Sequence, residues 1–234
     1  MKAGTEPKWL IHKILRVNPK TIRKTIKSCL ASAIKTFGTS NGIYNLRIVQ
    51  SVKEFKNLEK QLTQKGFKRI VVAYHKHDFI KILAEVHKLR MAGGFVRIFG
   101  KGRKVIPIIY IHGQTLNIKS ATTIVAHEIG HIIADLKMLE LGQNPDHREV
   151  VSEMLAQTIE AEILLQNNFS KKEILGQLKY KTGLDFKVVE MLLDSRFNSK
   201  QRRDIINNII IRNIDPKFIV DYIEEYRRPI GVMR

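Results

Sequence analysis

The sequence predicts an α+β protein: a small mixed sheet in the first half, with an edge strand ahead of a long motif-bearing helix, and a helical second half. Three observations predict it. Between residues 46 and 112, short apolar runs alternate with stretches of helical periodicity. From Ser120 onward only the helical period remains. The third is composition: 44% hydrophobic residues with 7% aromatics supply an ordinary packed core and exclude a disordered or collagen-like chain. A length of 234 residues allows one large domain or two small ones.

Residues 7–37 read as helix, with Asn18-Pro19 opening a segment in which Ile22, Ile26, Leu30 and Ile34 recur at helical spacing. Residues 38–45 (GTSNGIYN) form a turn-rich break. Residues 46–52 and 69–74 read as strands, and 52–65 and 78–91 as helices. Residues 95–99 and 105–112 read as a strand pair joined by Gly100-Lys101-Gly102-Arg103. Pro107 cannot donate to a ladder, which predicts that the second of these strands is an edge. A helix over 120–141 is stopped by Gly142 and Asn144-Pro145, and another covers 146–168. Shorter helices follow near 171–180, 186–194, 199–212 and 216–227, punctuated by Gly183 and Pro216. The expected division is a basic helical segment over 1–45, a core over 46–168 and a helical subdomain over 169–234.

Composition also narrows the setting. The one cysteine, Cys29, cannot close an intramolecular disulfide, which points to a reducing, cytoplasmic compartment. No stretch approaches the roughly 18 apolar residues of a membrane span. Residues 1–19 are too interrupted for a signal-peptide core. The net charge of +19 is unevenly spread: +20 over residues 1–120, −6 over 121–168 and +5 over 169–234. So basic a first half points to a polyanionic partner, nucleic acid before an acidic membrane or protein. Its cations are dispersed, from Lys13, Arg16, Lys20, Arg23, Lys24 and Lys27 to Lys101, Arg103 and Lys104, as phosphate contact requires.

The acidic middle holds the sharp motif, His127-Glu128-Ile129-Gly130-His131. Histidines four apart on a helix stack one turn above each other, so both imidazoles reach one metal ion. The glutamate beside the first then serves as general base toward a metal-activated water. Gly130 costs the helix about 1 kcal/mol relative to alanine, which implies that something approaches there closely. A catalytic zinc takes three protein ligands. The H-E-x-x-H-x-x-G-x-x-H form is excluded, because Ala134 and Lys137 stand at its glycine and third histidine. The following helix offers Glu149, Glu153, Gln157 and Glu160 near one face; Asp146 and Glu149 suit a capping box, and Glu153 is the expected ligand, with Glu149 and Glu160 as alternatives. The plain alternative to a ligand role is a solvated acidic face.

Residues 123–165, about a fifth of the chain, resemble the core of the zincin metallopeptidases whose third ligand is a glutamate. Ala126-His127-Glu128-Ile129-Gly130-His131 resembles their active-site helix, and Glu153-Met154-Leu155-Ala156, starting 22 positions after His131, resembles their Glu-x-x-Ala signature. The nearest flavour is the ImmA/IrrE-type metallopeptidases, often encoded near mobile elements. The resemblance implies a zincin-like fold, Zn²⁺ on His127, His131 and Glu153, Glu128 as general base, and a protein or peptide substrate. The substrate is expected to add as a strand near residues 105–112. Two departures are plain. Some relatives carry an aspartate beside the metal site where Gln157 stands, a part Asp135 is able to take, and no DNA-binding helix-turn-helix is evident.

For the oxyanion donor the sequence leaves Tyr180, Tyr222, Tyr226 and His147 open. His75-Lys76-His77-Asp78 reads as a charged loop and His112 as a strand end. Residues 179–193 read as an αα-hairpin, residues 200–203 (KQRR) and Arg227-Arg228 as solvated helix ends, and Trp9 alone is no stacking platform. The competing expectations are three: a zinc peptidase localised by its basic half; a nucleic-acid-binding or structural protein of a virus or plasmid that keeps the fold without turnover; and a peptidase-fold toxin or morphogenesis factor.

Overall fold

Proline at the first turn of a helix lacks only an N–H that would have no partner there, and the first helix, α1 (Pro19–Phe37), begins on one. The computed structural model describes residues 19–38, 43–49, 52–71, 94–111, 118–145, 149–178 and 184–227. The helix expected over 78–91 and the segment before Pro19 lie outside them. Ile26, Cys29, Ala33 and Phe37 form the buried stripe of α1. Gly38 ends the helix at φ +79°, its N–H bonding Ile34 O at 3.0 Å, an αL cap that favours glycine. The Cys29 thiol is buried, which pushes its pKa up to about 12 and keeps it protonated.

A turn of 3₁₀ helix (Ile43–Asn45) leads into the sheet: β1 (Arg47–Val49), helix α2 (Val52–Gln64), β2 (Lys68–Val71), then the hairpin β3 (Gly94–Lys101) and β4 (Lys104–Ile111). The strand order is β1-β4-β3-β2, with β1 parallel to β4 and the other pairs antiparallel. Side chains alternate between the two faces. Val96, Ile98 and Ile109 join the main core, whereas Phe99, Ile106, Ile108 and Tyr110 pack on Phe55 and Leu62 of α2.

The strand over residues 105–112 was expected at an edge, and this is corrected: β4 lies inside the sheet, with β3 on one side and β1 paired to Ile108–Tyr110 on the other. Counting the antiparallel alternation from the Lys101↔Lys104 closing pair puts Pro107 at a position whose nitrogen faces away from β3. On that side β1 pairs only from Ile108 onward, so the missing N–H breaks no bond. The loop is also shorter than expected. Only Gly102 and Arg103 separate the strands, and Gly102 at φ +57° fills the position a II′ turn reserves for glycine. A peptide adding along 108–110 of β4 would meet β1, so strand addition there is corrected too.

The second half is helical: α3 (Ile118–Glu140), α4 (Glu149–Gln166), α5 (Lys171–Leu178), α6 (Leu184–Leu192), α7 (Ser199–Ile211) and, after a 3₁₀ turn over Pro216–Phe218, α8 (Ile219–Arg227). Gly142 at φ +72° follows α3. Reciprocal capping boxes open α5 (Ser170 with Glu173) and α7 (Asn198 with Gln201). α3 packs on β3 and β4 with one side and on α1 and α4 with others, so it is the centre of the molecule. One buried cluster takes residues from α1, the sheet and the C-terminal helices together. Residues 200–203 are a solvated end only in part: Lys200 is exposed, but the Arg202 side chain is largely covered, with Nε 2.6 Å from Glu162 Oε2 and Nη1 donating to Phe197 O, and Arg203 donates to Thr36 O at 3.3 Å.

Candidate metal centre

The long α3 is held by apolar side chains on several sides, with Val125, Ile129, Ile132, Ile133 and Leu136 all buried, each contributing about 1.5–3 kcal/mol relative to exposure. His127, Glu128 and His131 therefore sit on a helix fixed by the core. α4 crosses α3 at Gly130. A β-carbon built on Gly130 would stand 2.4 Å from Ala156 O and 2.9 Å from Ala156 Cα, so only glycine fits. What approaches Gly130 is the second helix, which answers the question the sequence left open.

That contact brings Glu153, three residues before Ala156, over the two histidines. His127, His131 and Glu153 each offer one atom within 4.8 Å of the others. The closest approaches are His127 Nε2 to His131 Nε2 at 3.2 Å, His131 Nε2 to Glu153 Oε2 at 3.2 Å, and His127 Nε2 to Glu153 Oε1 at 3.6 Å. Ligand bonds of about 2.0–2.1 Å in a tetrahedron put the donor atoms about 3.3 Å apart, which these spacings match.

The far nitrogens settle what faces inward. His127 Nδ1 lies 2.9 Å from Glu160 Oε2, and since an ionised carboxylate only accepts, Nδ1 carries the proton. His131 Nδ1 lies 3.4 Å from Ser152 Oγ, whose hydroxyl donates to Asp135 Oδ1 at 2.9 Å. In that relay His131 Nδ1 is again the donor. Both Nε2 atoms then turn lone pairs toward a carboxylate, and three electron-rich atoms so close together are stable around a cation. The donor set fits zinc.

Of the residues the sequence singled out, the structure brings His127, His131, Glu153, Glu160 and Asp135 to this one place. Glu160 stands behind His127, on its Nδ1, and is not one of the three converging donors. Gln157 donates to Glu153 Oε1 at 2.9 Å, orienting the third donor. Ser152, which the sequence reading passed over, links His131 to Asp135; its position one residue before Glu153 carries no signal without the crossing. Glu128 is buried at 5% exposure, and three residues before His131 it shares that histidine's side of the helix. The solvated acidic face holds only in part: Gln157 and Glu160 are buried at 1% and 2% exposure, whereas the Glu153 side chain is 35% exposed.

Tyr222 neighbours Asn208, Arg212 and Tyr226, none of which belongs to the triad. The side chains of His147, Tyr180 and Glu149, the Asp146–Glu149 cap, and His75, His77 and His112 lie outside the described residues. No helix among the described residues is long and apolar enough to cross a membrane. Comparison with protein-family models, with curated proteins and with solved structures finds no match to this chain.

Proposed function

We propose that this chain is a zinc metallopeptidase of the glutamate-ligand zincin type, in which His127, His131 and Glu153 hold Zn²⁺ and Glu128 is the general base. The observation that carries the reading is the convergence of the two Nε2 lone pairs and the Glu153 carboxylate, each held from behind by Glu160, by Ser152 with Asp135, or by Gln157. A zinc ion so bound supplies Lewis acidity to a peptide carbonyl and lowers the pKa of water.

The rest is work for the chain's own residues. Glu128, next to His127, takes a proton from the attacking water and returns it to the leaving amide nitrogen, so the peptide C–N bond breaks with no net proton change. Its burial strengthens that role, since a carboxylate sheltered from bulk water holds its proton where the next step needs it. A centre that only bound or braced would need no such base, and on this ground the reading without turnover ranks second.

Elemental mass spectrometry and a peptide-cleavage assay test it on one set of proteins. The wild type is expected to hold about one zinc and to cleave; His127→Ala and Glu153→Ala are expected to lose both properties. Glu128→Gln is expected to keep the metal while turnover falls by at least about 100-fold, the scale of general-base catalysis. Cleavage by Glu128→Gln at the wild-type rate overturns the base assignment, and full zinc in Glu153→Ala overturns the third ligand.

A further inference from the structure

Five exposed cations meet at one corner of the sheet. The β3–β4 turn presents Lys101, Arg103 and Lys104; Lys68 pairs with Gly100 at the start of β2; and Lys101 Nζ donates to Lys65 O at 2.7 Å, tying the turn after α2 to the hairpin tip. The exposed face of α2 continues the charge through Lys53, Lys56 and Lys60, at helical spacing. Among the described residues between 43 and 111 the acids are Glu54 and Glu59, and Glu59 is held by Arg69 at 3.3 Å. None of these cations belongs to the metal centre.

So many like charges gathered on a rigid turn repel one another unless an anion lies between them. Three polyanions offer themselves, and the corner's chemistry discriminates. A membrane surface is gripped by cations together with apolar side chains that enter it; among the described residues the exposed large apolar side chains are Tyr44, Leu141, Ile211, Phe218 and Tyr226, none of them on the hairpin tip, β2 or α2. Single-stranded nucleic acid is held by successive bases stacking on several aromatics; Phe67 and Phe99 are buried, which leaves Tyr44, beside the start of β4 where Asn45 donates to Val105 O at 3.0 Å, as one exposed ring rather than a row of them. Duplex backbone needs cations alone, spread over successive phosphates. We infer that this corner is a docking surface for the phosphate backbone of double-stranded nucleic acid, bound without sequence preference, and that it holds the chain on that polymer by a face separate from the metal centre.

Fluorescence anisotropy with a labelled DNA duplex of about twenty base pairs tests the inference on three full-length proteins. These are the wild type, the triple variant Lys68→Gln/Arg103→Gln/Lys104→Gln, and the control Lys171→Gln/Lys172→Gln/Lys187→Gln, which removes the same charge from exposed positions of the helical half. The first triple leaves Lys101 and its bond to Lys65 in place, and circular dichroism checks that each protein is folded. The wild type is expected to bind with affinity falling steeply with salt, log K against log salt having a slope of about −4.5 for five phosphate contacts. The corner variant is expected to lose at least about tenfold in affinity and to flatten that slope by two to three, at about 0.9 per contact, with the control near wild type. Equal loss in both variants overturns the inference in favour of general charge attraction. So does binding that ignores salt. Preference for phosphatidylserine vesicles over the duplex, lost in the corner variant, overturns it in favour of a membrane.

Discussion

At the scale of single residues the centre depends on which nitrogen of each histidine carries the proton. Glu160 and the Ser152–Asp135 relay set this, and so set where the lone pairs point. Glu160 is a positioning residue, acting through His127. Glu160→Gln keeps the shape but replaces a charge-assisted bond with one about half as strong. It is expected to weaken zinc about tenfold, the lower end of what outer partners contribute. Competition against a chelating dye measures this, and an unchanged affinity would sink the assignment. Ser152→Ala, which opens the longer of the two contacts, is expected to cost less. The histidine pair was legible in the sequence because their spacing on a helix is a local fact. Glu153 was already the expected partner of that pair, but the places of Gln157 beside it and of Glu160 behind His127 were not legible, since all three lie near one face of α4 and only the crossing with α3 decides which meets Nε2 and which Nδ1. Where some relatives carry an aspartate this chain has Gln157, and the carboxylates that stand behind the histidines are Glu160 on His127 and Asp135, through Ser152, on His131.

At the scale of elements, the crossing of α3 and α4 makes the site, and Gly130 with Ala156 makes the crossing. Alanine at 130 would favour an isolated helix by about 1 kcal/mol. Here its methyl meets a backbone carbonyl that no rotamer change can clear, and overpacking costs about 1–3 kcal/mol. Gly130→Ala is therefore expected to lower the melting temperature and, by parting the helices, to weaken zinc. A variant as stable as wild type with full zinc occupancy would show that the contact is not tight. The element sequence was largely legible: period-2 and period-3.6 patterns located the four strands and the described helices to within a few residues. The place of β4 in the sheet was not. Pro107 argues for an edge when read alone, and the argument fails only because β1 is three residues long and pairs just beyond it. Strand order depends on partners distant in sequence, and a proline reports one missing bond rather than a whole side.

At the scale of the whole molecule, the three proposed ligands come from the two helices that hold the shared core together, so on that proposal metal binding and folding are one equilibrium. A ligand that binds only the folded chain stabilises it by about 2.7 kcal/mol at a hundred times its Kd. For a chain of this size that is about 5–10 °C in Tm. Chelation is expected to lower Tm by that amount in the wild type and in Glu128→Gln, and to leave Glu153→Ala unmoved. A wild-type Tm indifferent to chelator would separate metal from fold. The charge map reads differently at this scale too. Three acids of the middle segment are sequestered at 2% exposure, so the surface offered to a passing polyanion is more uniformly cationic than net charge conveys.

The inner position of the β3–β4 hairpin has a last consequence. Residues 105–111 (VIPIIYI) carry no charge and, Pro107 apart, are all β-branched or aromatic, a ribbon that would invite pairing by another strand if its ladder lay open. Folding places this ribbon between β1 and β3, and among the described residues the sheet ends on β1 and β2, both short and both carrying basic residues, Arg47 on one and Lys68 and Arg69 on the other. Such strands make poor templates for a neighbouring copy. Among the described residues the sheet thus keeps its most apolar strand inside and carries short, basic strands at its rims, so that resistance to edge-to-edge pairing rests on the seven residues of β1 and β2.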